Sequence, residues 1–210
     1  MPQTTQVILV RHGQSLGNAE GRFGGHTDTP LSPLGRKQAH ATALTLAPEK
    51  LTALYCSDLP RAIETAEPLA KLSGLQIQPT DAFRERSVGV MEGLTFEEAA
   101  AQHPEQYQAL LRRDFDHVLL GGESYRQTLE RASRKLDEIL ARNKGGRVVI
   151  FTHTGTICIL ALHIMGALDA PKLKAVWIHS FNCGISRFDL RDDDYVRVSK
   201  INDTHHLENL

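Results

Sequence analysis

Two apolar runs without polar alternation constrain this 210-residue chain more than any other feature. The first, 7–10, reads V-I-L-V and leads through Arg11 to His12, and the second, 148–151, reads V-V-I-F and leads to His153. Such runs are typical of strands buried on both faces of a parallel sheet. Ligands of open α/β sheets bind beyond the carboxyl ends of the strands. Both histidines are therefore predicted to lie at a ligand site.

The rest of the chain alternates between strand and helix patterns. Ser32 followed by Pro33 is typical of a helix start, with the serine as N-cap and the proline at the first helical position. Further strands are predicted at 54–56, 77, 185–190 and 195–201, and helices at 33–46, 60–73, 97–113 with a break at Pro104, 125–143 and 155–165. A polar, glycine-rich loop is expected at 14–31. This order predicts an α/β class with a largely parallel sheet.

A third polar group, 57–61, follows another predicted strand and is expected to join the two histidines. Arg11 and Arg61 carry planar guanidinium groups that match the oxygens of a phosphate. His12 beside them can attack phosphorus when its imidazole is neutral, a form that neighbouring positive charges favour. His153 can donate a hydrogen bond to the transferring oxygens. Together these groups predict phosphoryl transfer.

Backbone groups and one carboxylate complete this hypothesis. Helix N-termini at Pro60 and after His153 add backbone donors, and Gly13, which lacks a Cβ, is expected to let the backbone pass close to the bound group. Glu85 lies in the segment 83–93 and can protonate the leaving oxygen, then take a proton from water in the second half-reaction.

Each side chain taken alone has an ordinary structural explanation. His12 could be a structural histidine, Arg61 a helix-surface arginine and His153 a helix cap. Glu85 could be a salt-bridge partner of Arg84 or Arg86. Their joint placement at strand ends favours the catalytic interpretation.

Several motifs in a fixed order resemble those of the histidine phosphatase superfamily, the phosphoglycerate mutase-like proteins. They are L-V-R-H-G-Q-S at 9–15 with Asn18, D-T-P-L-S-P-L-G at 28–35, S-D-L-P-R-A at 57–62, F-R-E-R-S-V-G-V-M-E-G at 83–93, G-E-S at 122–124 and V-I-F-T-H at 149–153. The resemblance implies a three-layer α/β sandwich with helices on both faces. It also implies one domain over 1–210, with a small helical cap near 94–120.

The resemblance also implies roles for individual residues. His12 would form the phosphohistidine and Glu85 would donate the proton. The phosphate pocket would be completed by Arg11, Arg61 and His153, and the substrate path would include Asn18, Gly24, Gly25 and Thr154. No metal and no cofactor are implied.

Departures from the pattern favour a phosphatase of a small phosphorylated metabolite. The sequence Phe23-Gly24-Gly25-His26 stands where the mutases typically have Phe-Thr-Gly-Trp, and no proline-rich insertion follows the segment 83–93. The alternative is a 2,3-bisphosphoglycerate-dependent phosphoglycerate mutase. A non-catalytic phospho-ligand binding module is less favoured, because none of the expected catalytic residues is substituted. Thr154-Gly155 stands where the family commonly has two glycines.

Two further groups of residues have open interpretations. His205 and His206 could be metal ligands of a metallohydrolase, although the segment resembles the family's C-terminal region and a structural role is favoured. In the expected cap, Arg112, Arg113 and His117 could select the substrate or form a solvated helix end.

Composition limits the partners and the compartment. The net charge is −1, which does not favour nucleic-acid binding. No apolar run approaches the roughly 20 residues that span a bilayer, so a membrane partner is not expected. The three cysteines are Cys56, Cys158 and Cys183. They are expected to be buried reduced thiols, which favours a cytoplasmic location. The expected partner is a phosphomonoester, and a homo-oligomer is allowed.

Overall fold

A single mixed sheet organises the protein, which a computed structural model describes over residues 2–168 and 176–210. Its strands are β1 Thr4–Arg11, β2 Ala53–Ser57, β3 Ile77–Thr80, β4 Arg147–Thr152, β5 Ile185–Arg191 and β6 Val196–Asp203, in the spatial order β3-β2-β4-β1-β5-β6. The pairs among β3, β2, β4 and β1 are parallel, whereas β5 and β6 add antiparallel pairs at one side. The predicted α/β class with a mostly parallel sheet is confirmed.

Helices cover both faces of the sheet, as expected for three layers. The main helices are α2 Pro33–Leu46, α3 Pro60–Ser73, α6 Tyr125–Arg142 and α7 Thr154–Ile164. Alternate side chains of each strand point to opposite faces. Val7 and Leu9 therefore pack on α6 and α7, while Ile8 and Val10 pack on α2 and α3. This alternation explains why the apolar runs contain no polar residue, because both faces are buried.

The structure differs from the sequence interpretation at two places. The polar loop expected at 14–31 contains a short helix, α1 Leu16–Ala19, which Ser15 caps by accepting from the backbone N–H of Asn18. Glu85 does not follow a strand directly, because a 3-10 turn, Asp81–Phe83, separates it from β3. Both elements are single turns, and so short a segment has no helical periodicity in the sequence.

The segment expected to form the cap has a small core of its own. It contains α4 Phe96–Gln102 and α5 Pro104–Arg112, separated at Pro104 as predicted, and it is preceded by a 3-10 turn, Gly89–Met91. The buried apolar residues of this cluster are Val88, Met91, Ala99, Ala109 and Leu119. The boundaries 94–120 and the single-domain assignment stay predictions. Among the described residues, no helix combines the length and the hydropathy needed to cross a membrane.

Candidate active site

The carboxyl ends of three adjacent parallel strands meet at one point of the sheet. β4 lies between β1 and β2, and Thr152 at its end is level with Arg11. The residues that follow lie side by side as a result. The rings of His12 and His153 have centroids 5.0 Å apart, and Nε2 of His153 lies 2.9 Å from Oγ of Ser57. The structure therefore brings together the groups that the sequence placed at separate strand ends.

His12 is held as a neutral imidazole with one free nitrogen. Its side chain is buried, and Nδ1 lies 2.7 Å from the carbonyl oxygen of Gly13. Because a carbonyl only accepts, Nδ1 carries the proton and Nε2 keeps its lone pair. Burial, reinforced by the positive charges of Arg61 and Arg11, lowers the pKa of His12 well below its ordinary value. The ring is thus a ready nucleophile at neutral pH.

Arg61 is anchored by a loop that faces it across the site. It lies in the first turn of α3 and is 2% exposed. Nη1 donates to the carbonyl of Thr27 and Nη2 to that of Gly25, each at 2.7 Å. Burial lowers the pKa of Arg61 to about 10, so the group remains protonated at neutral pH. The guanidinium is a fixed positive charge beside His12.

Two buried nitrogens near His12 have no partner among the described residues. They are Nε of Arg11, whose Nη1 donates to the carbonyl of Ser180 at 2.7 Å, and Nδ1 of His153. An unpaired buried polar group costs about 1–3 kcal/mol. Burial lowers the pKa of both groups, that of His153 well below its ordinary value. Both nitrogens therefore retain an unused hydrogen-bonding position close to His12.

Glu85 is fixed by two backbone donors from opposite sides. Its Oε1 accepts from the N–H of Arg86 at 2.9 Å, and its Oε2 accepts from the N–H of Gly155 at 3.1 Å. A Cβ at position 155 would lie 2.4 Å from Oε1. The carboxylate can therefore approach the N-terminus of α7 only because that position is glycine. The chain keeps this glycine, although Thr154 departs from the family pattern.

The motif at 122–124 supports the segment that carries Glu85. Arg131 of α6 donates to the backbone carbonyls of Ala82, Arg84 and Glu85 at 2.8–2.9 Å. The same guanidinium pairs with Glu123, which also accepts from the N–H of Ser87 at 3.0 Å. These bonds fix the backbone on both sides of the catalytic candidate, which sequence reasoning did not anticipate.

Gly13 is required for a reason that the sequence did not reveal. A Cβ at this position would lie 2.6 Å from the carbonyl oxygen of Gly35, in the first turn of α2. The absence of a Cβ therefore lets two backbones approach closely, while the expected approach to a bound group stays a prediction. The N–H of Gly13 donates to Oγ1 of Thr65 at 3.0 Å, which ties the loop after β1 to α3.

One cavity of about 220 Å³ contains most of the predicted site. Its polar lining includes Arg11, His12, Asn18, Gly24, Gly25, Arg61, Glu85, Thr154 and Gly155. We call these residues the floor. His153 is fully buried beside His12 and does not line the cavity.

Asn18 accepts from Nδ2 of Asn182 at 3.1 Å, and that amide also donates to the carbonyl of His12. Asn182 is a residue that the sequence motifs did not reveal.

The cavity is also lined by residues that sequence reasoning did not assign to the site. We call this group the wall, and it comprises Phe23, Arg86, Val88, Leu110, Tyr125 and Trp177. Of the cationic cap residues, Arg113 stacks on Trp177, with Cζ 4.9 Å from the ring centroid. Arg112 and His117 line a different cavity of about 480 Å³ on the surface of the cap segment.

The structure also describes the surroundings of His206 and of the three cysteines. Nε2 of His206 lies 2.9 Å from Oγ1 of Thr42, so it packs the C-terminal turn His205–Leu207 on α2. Within residues 2–168 and 176–210, no three His, Cys, Asp or Glu side chains are grouped so that they could hold a metal ion. The three cysteines are free and buried, as predicted.

Comparison with known proteins gives a consistent match over nearly the whole chain. Residues 7–204 match the model of the histidine phosphatase superfamily, branch 1. A metal-independent phosphoserine phosphatase of Arabidopsis thaliana is 34% identical, with 99% of this chain and 85% of that protein covered. The phosphoglycerate mutase-like protein 4 of the same plant is 36% identical, with 97% and 87% covered.

A solved structure shows the same fold. The mycobacterial glucosyl-3-phosphoglycerate phosphatase superposes with a TM-score of 0.86 and 27% sequence identity, covering 96% of this chain and all of that one. This chain therefore has a fold that also occurs in a phosphatase.

Proposed function

Because the chain belongs to the histidine phosphatase superfamily, we propose that it hydrolyses the phosphomonoester of a small metabolite through a phosphohistidine at His12, without a metal ion. The observation that carries this proposal is the state of His12. A neutral imidazole with a free Nε2 lies beside the positive charges of two arginines, the partly buried Arg11 and the buried Arg61. A nucleophile and two fixed positive charges are what transfer of a phosphoryl dianion requires.

In the first half-reaction, Nε2 of His12 attacks phosphorus and the bond from phosphorus to the ester oxygen breaks. Arg11 and Arg61, which line the cavity, bind the phosphoryl oxygens as charge builds on them, and His153 beside His12 is the third group that the family resemblance assigns to the phosphate pocket. Glu85, in its protonated form, gives its proton to the departing oxygen, so that the product leaves as a neutral alcohol. The phosphoryl group remains on His12.

In the second half-reaction, a water molecule attacks the phosphohistidine. Glu85, now ionised, accepts a proton from that water, and the bond from phosphorus to Nε2 breaks. Inorganic phosphate is released and His12 returns to its neutral form. The carboxylate is held by backbone N–H groups at 2.9 and 3.1 Å, so it stays in place through both steps.

The size of the cavity supports a small substrate. Its volume of about 220 Å³ is below the roughly 300–1,000 Å³ of pockets that take drug-sized ligands. The phosphatase assignment agrees with the names of the phosphoserine and glucosyl-3-phosphoglycerate phosphatases. We place the protein in the reducing cytoplasm, where its free thiols would remain reduced. Oligomeric state and a lack of nucleic-acid partners stay predictions.

The experiment that tests hydrolysis against mutase activity uses 3-phosphoglycerate, with and without catalytic 2,3-bisphosphoglycerate. Formation of 2-phosphoglycerate and of inorganic phosphate is measured in parallel, with and without a chelator after dialysis. We expect phosphate release that neither bisphosphoglycerate nor chelator changes. Bisphosphoglycerate-dependent formation of 2-phosphoglycerate much faster than phosphate release would contradict the proposal, as would activity restored only by a divalent ion.

A further inference from the structure

Asn182 is a loop residue whose side chain joins two parts of the floor. It lies between α7 and β5, in the sequence S-F-N-C-G at 180–184. Its Nδ2 donates to the backbone carbonyl of His12 and to Oδ1 of Asn18, each at 3.1 Å. An amide nitrogen carries two hydrogens, so it can supply one to each acceptor. One side chain therefore contacts both the backbone of the nucleophile and a residue that lines the cavity.

The orientation of both amide groups follows from their partners. The backbone N–H of Ser15 can only donate, and it lies 3.3 Å from the side chain of Asn18. The atom of Asn18 that faces it is therefore the oxygen. The same oxygen faces Asn182, so the facing atom of Asn182 must be the nitrogen. The carbonyl of His12, which only accepts, requires the same orientation of Asn182.

This arrangement determines which end of Asn18 is left for a ligand. Oδ1 of Asn18 already accepts two hydrogen bonds, from Ser15 and from Asn182. Nδ2 of Asn18 donates to no other residue in the described part of the chain. Asn18 is partly exposed and lines the cavity. The side chain therefore keeps its donor group unused, and hydrogen-bond donors are what the oxygens of a phosphate bind.

The second bond of Asn182 acts on the nucleophile through the main chain. The peptide between His12 and Gly13 is bound on both sides, because its carbonyl accepts from Asn182 and its N–H donates to Oγ1 of Thr65 at 3.0 Å. The next carbonyl, that of Gly13, lies 2.7 Å from Nδ1 of His12 and fixes the ring that carries the free Nε2. A small displacement of a reacting group is costly. A peptide bound on both sides therefore helps to keep Nε2 in place.

The loop around Asn182 is held in a strained conformation. Cys183 is buried and has a φ of 57°, in the left-handed region that residues other than glycine rarely occupy. Its N–H lies 3.0 Å from the carbonyl of Arg11 and 3.3 Å from that of His12. The N–H of Phe181 donates to Oδ1 of Asn202 at 2.7 Å. Such strain persists only where the surrounding structure holds it, and it clusters at functional sites.

We propose that Asn182 is a positioning residue for phosphoryl transfer. It keeps the donor group of Asn18 available to the phosphoryl oxygens, and it holds the backbone of His12. Asn182 is not among the residues that line the cavity, so it acts through these two neighbours rather than on the substrate. This inference rests on the proposed phosphatase function and adds to that site a residue from the loop between α7 and β5.

The test replaces Asn182 with side chains that lack its donors. Asn182→Leu keeps much of the volume, and Asn182→Ala removes both the volume and the donors. Hydrolysis of 4-nitrophenyl phosphate gives kcat and KM, and inhibition by orthovanadate, an analogue of the transferring phosphoryl group, gives Ki. Both variants should lower kcat/KM by about 10–100-fold, the cost of misplaced catalytic groups. The Ki for orthovanadate should rise about tenfold, as for the loss of one hydrogen bond to a charged ligand.

A double-mutant cycle separates positioning from a general effect on the fold. If Asn182 acts through Asn18, Asn182→Leu should cost at least about fivefold less in a chain that already carries Asn18→Ala, because the two residues share one interaction. The loss that remains measures the bond to the carbonyl of His12. Phe181→Ala is the matched control, since this neighbour in the same loop is 57% exposed and packs on His179. It should leave kcat/KM and Ki within about twofold of the wild type.

Three outcomes would overturn the inference. The first is hydrolysis by both Asn182 variants within about twofold of the wild type. The second is a loss that is additive with Asn18→Ala or leaves the Ki for orthovanadate unchanged. The third is loss of the folded state in both variants, checked by thermal unfolding, which would make Asn182 a support for the fold alone. Failure of the proposed function would look different, because the wild-type protein would then release no phosphate from 4-nitrophenyl phosphate.

Discussion

The floor and the wall of the cavity are built in different ways. Arg11, His12 and Arg61 stand at the ends of buried strands or in the first turn of a helix, and backbone hydrogen bonds fix each of them. The wall comes from parts of the chain that are distant in sequence: Phe23, the loop residues Arg86 and Val88, Leu110 of α5, Tyr125 at the start of α6, and Trp177. We infer that the floor carries the chemistry and the wall carries the choice of substrate, so that one could vary while the other stays fixed.

The largest expected difference between the two regions concerns Glu85. Glu85→Gln should lower kcat/KM for alkyl phosphates by about 10²–10⁴-fold, the usual contribution of a general acid. Hydrolysis of 4-nitrophenyl phosphate should fall far less, because its leaving group needs little protonation. Steady-state assays of both esters test this. Equal losses of kcat/KM for both esters would show that Glu85 only binds substrate or supports the fold.

A smaller loss is expected from Gly155→Ala, which acts on the same carboxylate through packing. The new Cβ would lie 2.4 Å from Oε1 of Glu85, so the side chain must move. We expect a loss of at least about tenfold on alkyl phosphates, since a small misplacement of a catalytic group is costly. The double variant Glu85→Gln/Gly155→Ala should be no worse than Glu85→Gln alone. Additive losses would show that Gly155 acts on something other than Glu85.

A wall substitution should affect binding and leave the chemistry intact. Trp177 lines the cavity, packs edge-on against Tyr125 with ring centroids 5.8 Å apart, and supports Arg113. Trp177→Ala should raise KM roughly fivefold with kcat within about twofold, the pattern of a lost uniform binding interaction. Trp177→Phe serves as the control that keeps an aromatic ring. A fall in kcat without a change in KM would contradict the separation of floor and wall.

The smallest effect is expected in the pH dependence of stability and concerns two buried histidines, His12 of the floor and His153 beside it. The pKa values of His12 and His153 are lowered well below 6.5 by burial and by nearby arginines. Below pH 6.5 the unfolded chain binds protons that the native state does not, so stability falls with decreasing pH until the native pKa is reached. Each histidine contributes at most about 1.4 kcal/mol per pH unit. Denaturant unfolding of His153→Gln between pH 7.5 and 5 should give a shallower slope than wild type, and an unchanged slope would contradict this assignment.

The floor could be predicted from the sequence because a simple rule links strands to ligands. Uninterrupted apolar runs identify the buried strands, and the polar residues that follow them must meet at one edge of the sheet. This rule brought His12, Arg61 and His153 together, whereas the opening of α2 at Ser32-Pro33 was predicted from its N-cap serine and the proline that follows. Glu85 was chosen as the carboxylate of the segment 83–93, and the family resemblance then implied the same role.

The wall could not be predicted, because its contacts join distant parts of the chain. The sequence suggested Arg86 only as a salt-bridge partner of its neighbour Glu85, whereas the guanidinium stacks on Tyr125 at the start of α6. Trp177 and Asn182 reach the site through tertiary packing, which periodicity does not encode. Gly13 was assigned to the bound group, because the sequence does not reveal the backbone of Gly35 beside it.

The most direct test of the account is a search for the covalent intermediate on His12. The protein is mixed with a labelled phosphomonoester and quenched rapidly in base, and the labelled peptide is mapped. We expect acid-labile, base-stable label on the peptide that contains His12, formed and lost at rates that match turnover. The variant His12→Asn should carry no label and should retain less than about a hundredth of wild-type activity, as for loss of a nucleophile. Label on another residue, or turnover by His12→Asn close to that of the wild type, would contradict the account.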